Sequence, residues 1–171
     1  GVRKHLIKQK NMKLRGNHNC ENACAAISAT LDYAKEDITR KTIEEFPGVE
    51  HRLEYIRTID GVEWFNDSIG SSPSRTIAGL NSFEEKIVLI AGGYDKNLDY
   101  TPIAKPILQN VSKLILIGQT ADKIEKAVKD EASLEGKSLP IYRCNKFEEI
   151  VTIAKEVATE GEIVLFSPAS A

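Results

Sequence analysis

From Pro47 onward the sequence predicts an α/β fold of Rossmann-like kind, a mostly parallel sheet flanked by helices. Three observations predict it. Short apolar runs recur at residues 87–91, 114–117 and 163–166, each closing on glycine or a polar turn, as strands buried on both faces do. Helix-length segments with apolar residues at helical spacing separate them, so each strand returns through a helix to lie parallel to another. Ahead of these, Asp60-Gly61 between two strand-like runs marks a tight hairpin.

Taken in order, residues 1–15 are rich in Lys and Arg and read as a solvated edge strand or arm. Gly16-Asn17-His18-Asn19 breaks that pattern. The Ala-rich residues 20–34, with Ile27 and Leu31, then predict a helix capped by Asn19. Asp37 caps a second helix whose Ile38, Ile43 and Phe46 face one core, and Pro47-Gly48 ends it. That pair is the expected boundary between domains 1–46 and 47–171. Residues 53–59 and 62–66 form the hairpin. Ser72 before Pro73 is a cap followed by Pro at the first helical position, opening a helix through Leu80. After the strand at 87–91, Thr101-Pro102 repeats that start for a helix to Asn110, and the strand at 114–117 closes on Gly118. Thr120 caps a helix over 121–134 that Gly136 ends. A short strand at 141–144 leads to a helix capped by Asn145 with Glu148, carrying Phe147, Ile150, Val151, Ala154 and Val157, and 163–166 is the last strand.

Composition narrows the function classes. With 42% hydrophobic and 28% charged residues and a formal net charge of −2, the chain lacks the basic face that nucleic acid requires. No apolar run approaches the length of a membrane span. Cys20, Cys24 and Cys144 are an odd number, and three residues separate the first two where a CxxC motif has two, so they read as reduced thiols in a reducing cytoplasm, with no metal role. Gly136-Lys137-Ser138 imitates the end of a phosphate-binding loop, but Glu131 stands where the first glycine belongs, and no GxGxxG follows any strand. Gly1 in place of an initiator Met, and an end just past the last strand, read as part of a longer protein.

Ligands of such sheets sit beyond the carboxyl ends of the strands. Four ends carry polar or glycine-rich turns, Asn66-Asp67-Ser68, Gly92-Gly93-Tyr94-Asp95-Lys96, Gly118-Gln119-Thr120 and Ser167-Pro168, and are expected to line one crevice. Asp67 ends an apolar strand, a costly place for a carboxylate without a partner, so it meets either a ligand or an internal donor. Arg52 suits bidentate phosphate contact, or an exposed ion pair. Lys96, after two glycines that permit close approach, either meets a carboxylate or is solvated. Asn19 and Asn22, three apart, offer the paired donor and acceptor of an adenine edge, or are a cap and a solvated side chain.

Together, Gly16-x-His18-Asn19-x-x-Asn22-Ala23, Pro47-Gly48-x-x-His51-Arg52, Asn66-Asp67-Ser68, Gly92-Gly93-x-Asp95-Lys96 and Ser167-Pro168-Ala169 resemble the Mur ligase family in motif and order. The resemblance implies that residues 1–46 are the helical tail of a central ATPase domain and 47–171 a C-terminal, amino-acid-binding domain truncated at its end. It implies an ATP- and Mg²⁺-dependent ligase of peptidoglycan precursor synthesis, with the metal ligands in a part of the enzyme outside this chain. The motif wording favours the branch that joins D-glutamate to UDP-N-acetylmuramoyl-L-alanine through an acyl phosphate. By resemblance Asn19, Asn22, Arg52 and Asp67 contact the nucleotide, and Lys96 and Ser71 hold D-glutamate. No metal ligand and no catalytic side chain is assigned here. Where many members have Lys after Asn66-Asp67-Ser68 this chain has Ile69, and a common Thr is Ser71. Without a phosphate-binding loop, this chain alone is expected to be inactive. The alternatives are a related amide ligase, such as another Mur ligase or a folylpolyglutamate synthase, or a non-catalytic binding module of the same fold.

Overall fold

The computed structural model describes residues 5–171, which leaves the first residues of the basic start outside the description. The chain falls into two compact units, Gly1–Val49 and Glu50–Ala171.

In the first unit a 3-10 turn, Gln9–Asn11, precedes helices α1 (Asn17–Thr30) and α2 (Glu36–Glu45). No strand forms in the described part of the basic start, whose alternation is too weak to build one. Helix α1 begins earlier than expected because Gly16, at φ 89°, makes the turn into it, so Asn19 lies within the first helical turn and does not cap. It ends earlier too, where the Tyr33 and Ala34 N–H groups both turn back to the Thr30 carbonyl. Likewise Lys35 occupies the cap of α2 and Asp37 sits in its first turn, where a carboxylate still complements the helix dipole. The expected core under α2 is absent within this unit: Ile38 is 56% and Phe46 41% exposed.

The second unit contains β1 (Glu54–Ile59), β2 (Val62–Asn66), α3 (Pro73–Leu80), β3 (Ile87–Ala91), α4 (Thr101–Asn110), β4 (Val111–Ile117), α5 (Ala121–Glu135), β5 (Ile141–Cys144), α6 (Phe147–Val157) and β6 (Ile163–Phe166). Asp60 and Gly61, at φ 51° and 76°, turn β1 back antiparallel onto β2, as a two-residue hairpin requires. All other pairings are parallel, and the order is β1-β2-β6-β3-β4-β5. The crossover through α3 thus leaves one slot between β2 and β3, which β6 fills.

The apolar runs explain the layers. All five residues of β3 are buried, because its alternate side chains enter two cores. Phe65, Leu89, Leu114 and Leu165 pack with Leu80 of α3, Ile103 and Ile107 of α4 and Ile124 and Val128 of α5. On the opposite face Val62, Val88, Ile90, Ile115 and Val164 pack with Ile150 and Ala154 of α6.

Four helix starts of this unit differ in detail or in mechanism, among them that of α5, where Thr120 occupies the cap without a side-chain bond to the helix. Thr101 lies inside α4, because the Asp99 carboxylate accepts its N–H at 2.9 Å and moves the cap back. Helix α6 starts one residue later than expected, so Glu149, not Glu148, accepts the Asn145 and Lys146 N–H groups at 3.2 and 3.3 Å. Ser72 occupies the cap of α3 without a side-chain bond to it. Gly136 is the left-handed cap of α5, and the Lys137 N–H returns to the Ala132 carbonyl, so Gly136-Lys137-Ser138 is a helix end.

At the opposite end of the sheet from the polar turns, Glu162 binds β4. It accepts from Lys113 Nζ at 2.7 Å and Ser112 Oγ at 2.6 Å, and from the Thr159 N–H at 2.8 Å. Burial alone pushes its carboxyl up, but these donors outweigh burial and hold it at about 2. A carboxyl depressed below its unfolded value of 4.5 adds stability that is full above that value and lost as pH falls from 4.5 toward 2. Glu162→Gln is expected to cost about 2 kcal/mol at neutral pH and to flatten acid unfolding in that window, measured by urea titrations between neutral and acid pH.

Candidate functional site

The turns after β2, β6, β3 and β4 lie side by side, because those strands are neighbours in that order. Backbone bonds tie them together. Ala169 N–H donates to the Gly70 carbonyl, Gly92 N–H to Pro168, Tyr94 N–H to Ala171 and Thr120 N–H to Gly93, at 2.7 to 3.2 Å. The four turns expected to share one edge are therefore adjacent at the carboxyl ends of the strands. Gly92 is required at φ 107°, where a Cβ would fall 2.0 Å from the Ile117 carbonyl oxygen.

Two chains of buried side chains underlie this edge. In the first, Thr76 Oγ1 lies 2.9 Å from Ser167 Oγ, which donates to Asp67 Oδ2 at 2.7 Å. Asp67, 4% exposed, also accepts the Leu53 N–H on Oδ1 at 3.2 Å. Gly70 packs so tightly on this group that a Cβ would stand 2.5 Å from Ser167 Oγ and 2.7 Å from Asp67 Oδ2. In the second, the Thr120 hydroxyl accepts the Gly93 N–H at 3.1 Å and meets Ser170 Oγ at 3.2 Å, and Ser170 donates to the Pro168 carbonyl. Of the two readings of Asp67, the internal donors are realised; Ser167, Thr76, Thr120 and Ser170 were not singled out as a network, since isolated hydroxyls in a sequence carry no pairing signal.

Arg52 projects from a strained loop. His51 and Leu53 on either side of it have φ of 65° and 45°, unfavourable for residues with a Cβ. Polar ties hold the loop: the His51 N–H donates to Glu54 at 2.9 Å, its carbonyl accepts from Ile69 at 3.1 Å, and the Asn66 amide donates to His51 Nδ1 at 2.9 Å. Leu53 is held by Asp67. Arg52 itself is exposed and has no polar partner among the described residues.

Lys96 is exposed and also without a partner among the described residues. Its loop is fixed around it. The Asp95 N–H donates to Gln119 at 3.1 Å, and Lys123 grips the Asp95 carboxylate at 2.6 Å, which with the Asn97 N–H keeps that carboxyl below its ordinary range. Ser71 is half-buried in the turn beside Gly70, and Ile69 is 44% exposed. Arg75, unremarked in the sequence, donates from Nη1 to the Ile69 carbonyl at 3.1 Å.

In the first unit Asn19 and Asn22 are brought together. Asn19 is buried and donates to the Arg15 carbonyl at 2.7 Å, while its oxygen accepts from Asn22 at 3.3 Å. Asn22 is exposed, so of the pair it has an open carbonyl oxygen to offer a base edge. The three thiols are free, and burial raises those of Cys20 and Cys144. Among the described residues no three His, Cys, Asp or Glu side chains gather to hold a metal ion. No helix among them is long and apolar enough to cross a membrane.

Comparison with known proteins matches this arrangement to one family. A family model described as Mur ligase, glutamate ligase domain, matches residues 51–170. The UDP-N-acetylmuramoylalanine–D-glutamate ligase of Acetivibrio thermocellus is 49% identical over 168 residues, covering 97% of this chain and 36% of that protein. The enzyme of that name from Clostridium perfringens is 42% identical, covering 98% and 37%. The chain thus spans little more than a third of the curated relatives it matches. Among solved structures, MurF from Acinetobacter baumannii aligns with a TM-score of 0.65 at 15% identity over 91% of this chain and 35% of that one. A Mycobacterium tuberculosis folylpolyglutamate synthase aligns with 0.65 at 14% over 92% and 39%, a likeness of fold. With the model match covering most of its length and these relatives in agreement, the chain belongs to the Mur ligase family, and residues 51–170 form its glutamate ligase domain.

Proposed function

We propose that this chain is part of an ATP-dependent acid–D-amino-acid ligase that joins D-glutamate to UDP-N-acetylmuramoyl-L-alanine in the cytoplasm, for peptidoglycan precursor synthesis. The observation that carries the reading is the pair of exposed cations, Arg52 and Lys96, which have no partner among the described residues and stand on fixed loops at the carboxyl edge of the sheet. The relatives' names supply the substrates. Residues 1–46 fit the tail of a larger ATP-binding domain, since Leu31, Tyr33, Ile38 and Phe46 stand exposed and call for apolar cover.

ATP supplies the activation, phosphorylating the precursor's terminal carboxylate so that an amine displaces phosphate. What these residues contribute is positioning and charge. Lys96 and the Ser71 hydroxyl hold the carboxylates of D-glutamate and leave its amine directed outward. Arg52 neutralises phosphate, Asn22 offers its amide to adenine, and Asn19 fixes Asn22. Asp67 acts on the nucleotide through the Arg52 loop that it holds.

The test is ADP release by the full-length ligase with the precursor and a panel of amino acids. D-glutamate is expected to support turnover, L-glutamate and neutral D-amino acids far less, and the 171-residue chain alone none. A different preferred amino acid, or turnover by the chain alone, overturns the reading.

A further inference from the structure

We propose that Arg75 determines the enzyme's preference for an acidic amino acid, by taking one carboxylate of the incoming D-glutamate; this rests on the ligase reading above. Arg75 stands in the first turn of α3, just after the turn containing Gly70 and Ser71. Its Nη1 donates to the Ile69 carbonyl at 3.1 Å, which holds the guanidinium against that turn. This engages one of five N–H donors and leaves the remaining fork open, in a side chain that is exposed and has no carboxylate partner among the described residues. Several other cations of the unit are already engaged: Lys123 is paired with Asp95, Lys113 with Glu162, and Arg143 with Asp122 and Glu125.

Placement and charge both favour a dicarboxylate. The 67–71 turn and the Gly92–Asn97 loop flank the tail of β6, bonded to it through Gly70 and Gly92. They leave β2 and β3, which lie two strand spacings apart, about 10 Å. Arg75 follows the turn on one side of that gap and Lys96 belongs to the loop on the other, the placement by which we assign one carboxylate of a five-carbon diacid to each. An amino acid with two carboxylates needs more than one cation, and between them the turn offers only the neutral Ser71 hydroxyl and the apolar Ile69, 44% exposed. Arg is the side chain suited to bidentate grip on a carboxylate, and anchoring through Nη1 reduces the entropy lost on binding.

The experiment measures steady-state kinetics of the full-length ligase with D-glutamate and with D-glutamine. Arg75→Ala is expected to raise KM for D-glutamate about 10- to 100-fold, as loss of a charged hydrogen bond does, with a much smaller change in kcat. The ratio of kcat/KM for D-glutamate over D-glutamine should fall with it. Arg75→Lys should recover part of the loss. Arg75→Gln keeps a donor for the Ile69 carbonyl but lacks the charge, so a purely structural role predicts rescue and carboxylate binding predicts none. Rescue by Gln, or an unchanged KM in Arg75→Ala while the wild type remains specific for D-glutamate, overturns this proposal and leaves the ligase reading standing. A wild-type enzyme inactive with D-glutamate overturns both.

Discussion

Asp67→Ala is expected to lower the unfolding free energy of the chain by about 2–3 kcal/mol and, in the full ligase, to remove most activity. The carboxylate lies 4% exposed and accepts from Ser167 Oγ and the Leu53 N–H. Truncation removes the acceptor of the half-buried Leu53 N–H and of the buried Ser167 hydroxyl, and the Thr76–Ser167 bond loses the anchor that orients it. The Arg52 loop is already strained at His51 and Leu53, so releasing Leu53 frees it to relax away from its position. Asp67→Asn keeps an acceptor for Leu53 and is expected to cost about half as much. Urea unfolding of both variants checks the stability, and kcat/KM with ATP varied checks the function. An Ala variant as stable as wild type refutes the buried-anchor account; a stable and fully active one also refutes the role assigned to the Arg52 loop.

Lys96→Ala is expected to behave in the opposite way, losing about 100-fold in kcat/KM for D-glutamate with no change in thermal midpoint. The side chain is exposed and bonds to nothing described, so the fold gains nothing from it. Its loop is fixed by Asp95, Asn97, Gln119 and Lys123, so the ammonium is presented at little entropic cost on binding. Lys96→Arg should retain part of the activity, since charge is kept and reach changes. A variant of normal kcat/KM would remove Lys96 from the site. If Arg75 and Lys96 grip one molecule, the double substitution should be non-additive, as coupled contacts are.

The fold was readable because hydrophobic period speaks for each strand separately: 87–91 and 163–166 are continuous apolar runs, and Asp60-Gly61 has no better use than a hairpin. The position of β6 between β2 and β3 was not, because strand order is written in no local pattern. Helix starts failed where a competing acceptor nearby won, Asp99 over Thr101 and Glu149 over Glu148. Arg52 and Lys96 were singled out through motif order, and the structure leaves both side chains exposed. Asp67 was flagged by its cost at a strand end, but its partner lies a hundred residues on, beyond any window. Arg75 drew no notice in the sequence because an Arg within a helix carries no signal until the carbonyl it bonds is located.

The late arrival of β6 has a consequence for biosynthesis. During translation β2 and β3 emerge with nothing between them, each presenting an unpaired apolar edge until residues 163–166 leave the ribosome. The sheet therefore closes last at its centre, and the Ser167 bond to Asp67 forms with it. Polypeptides that stop short of β6 are therefore expected to display two sticky edges to aggregation or proteolysis.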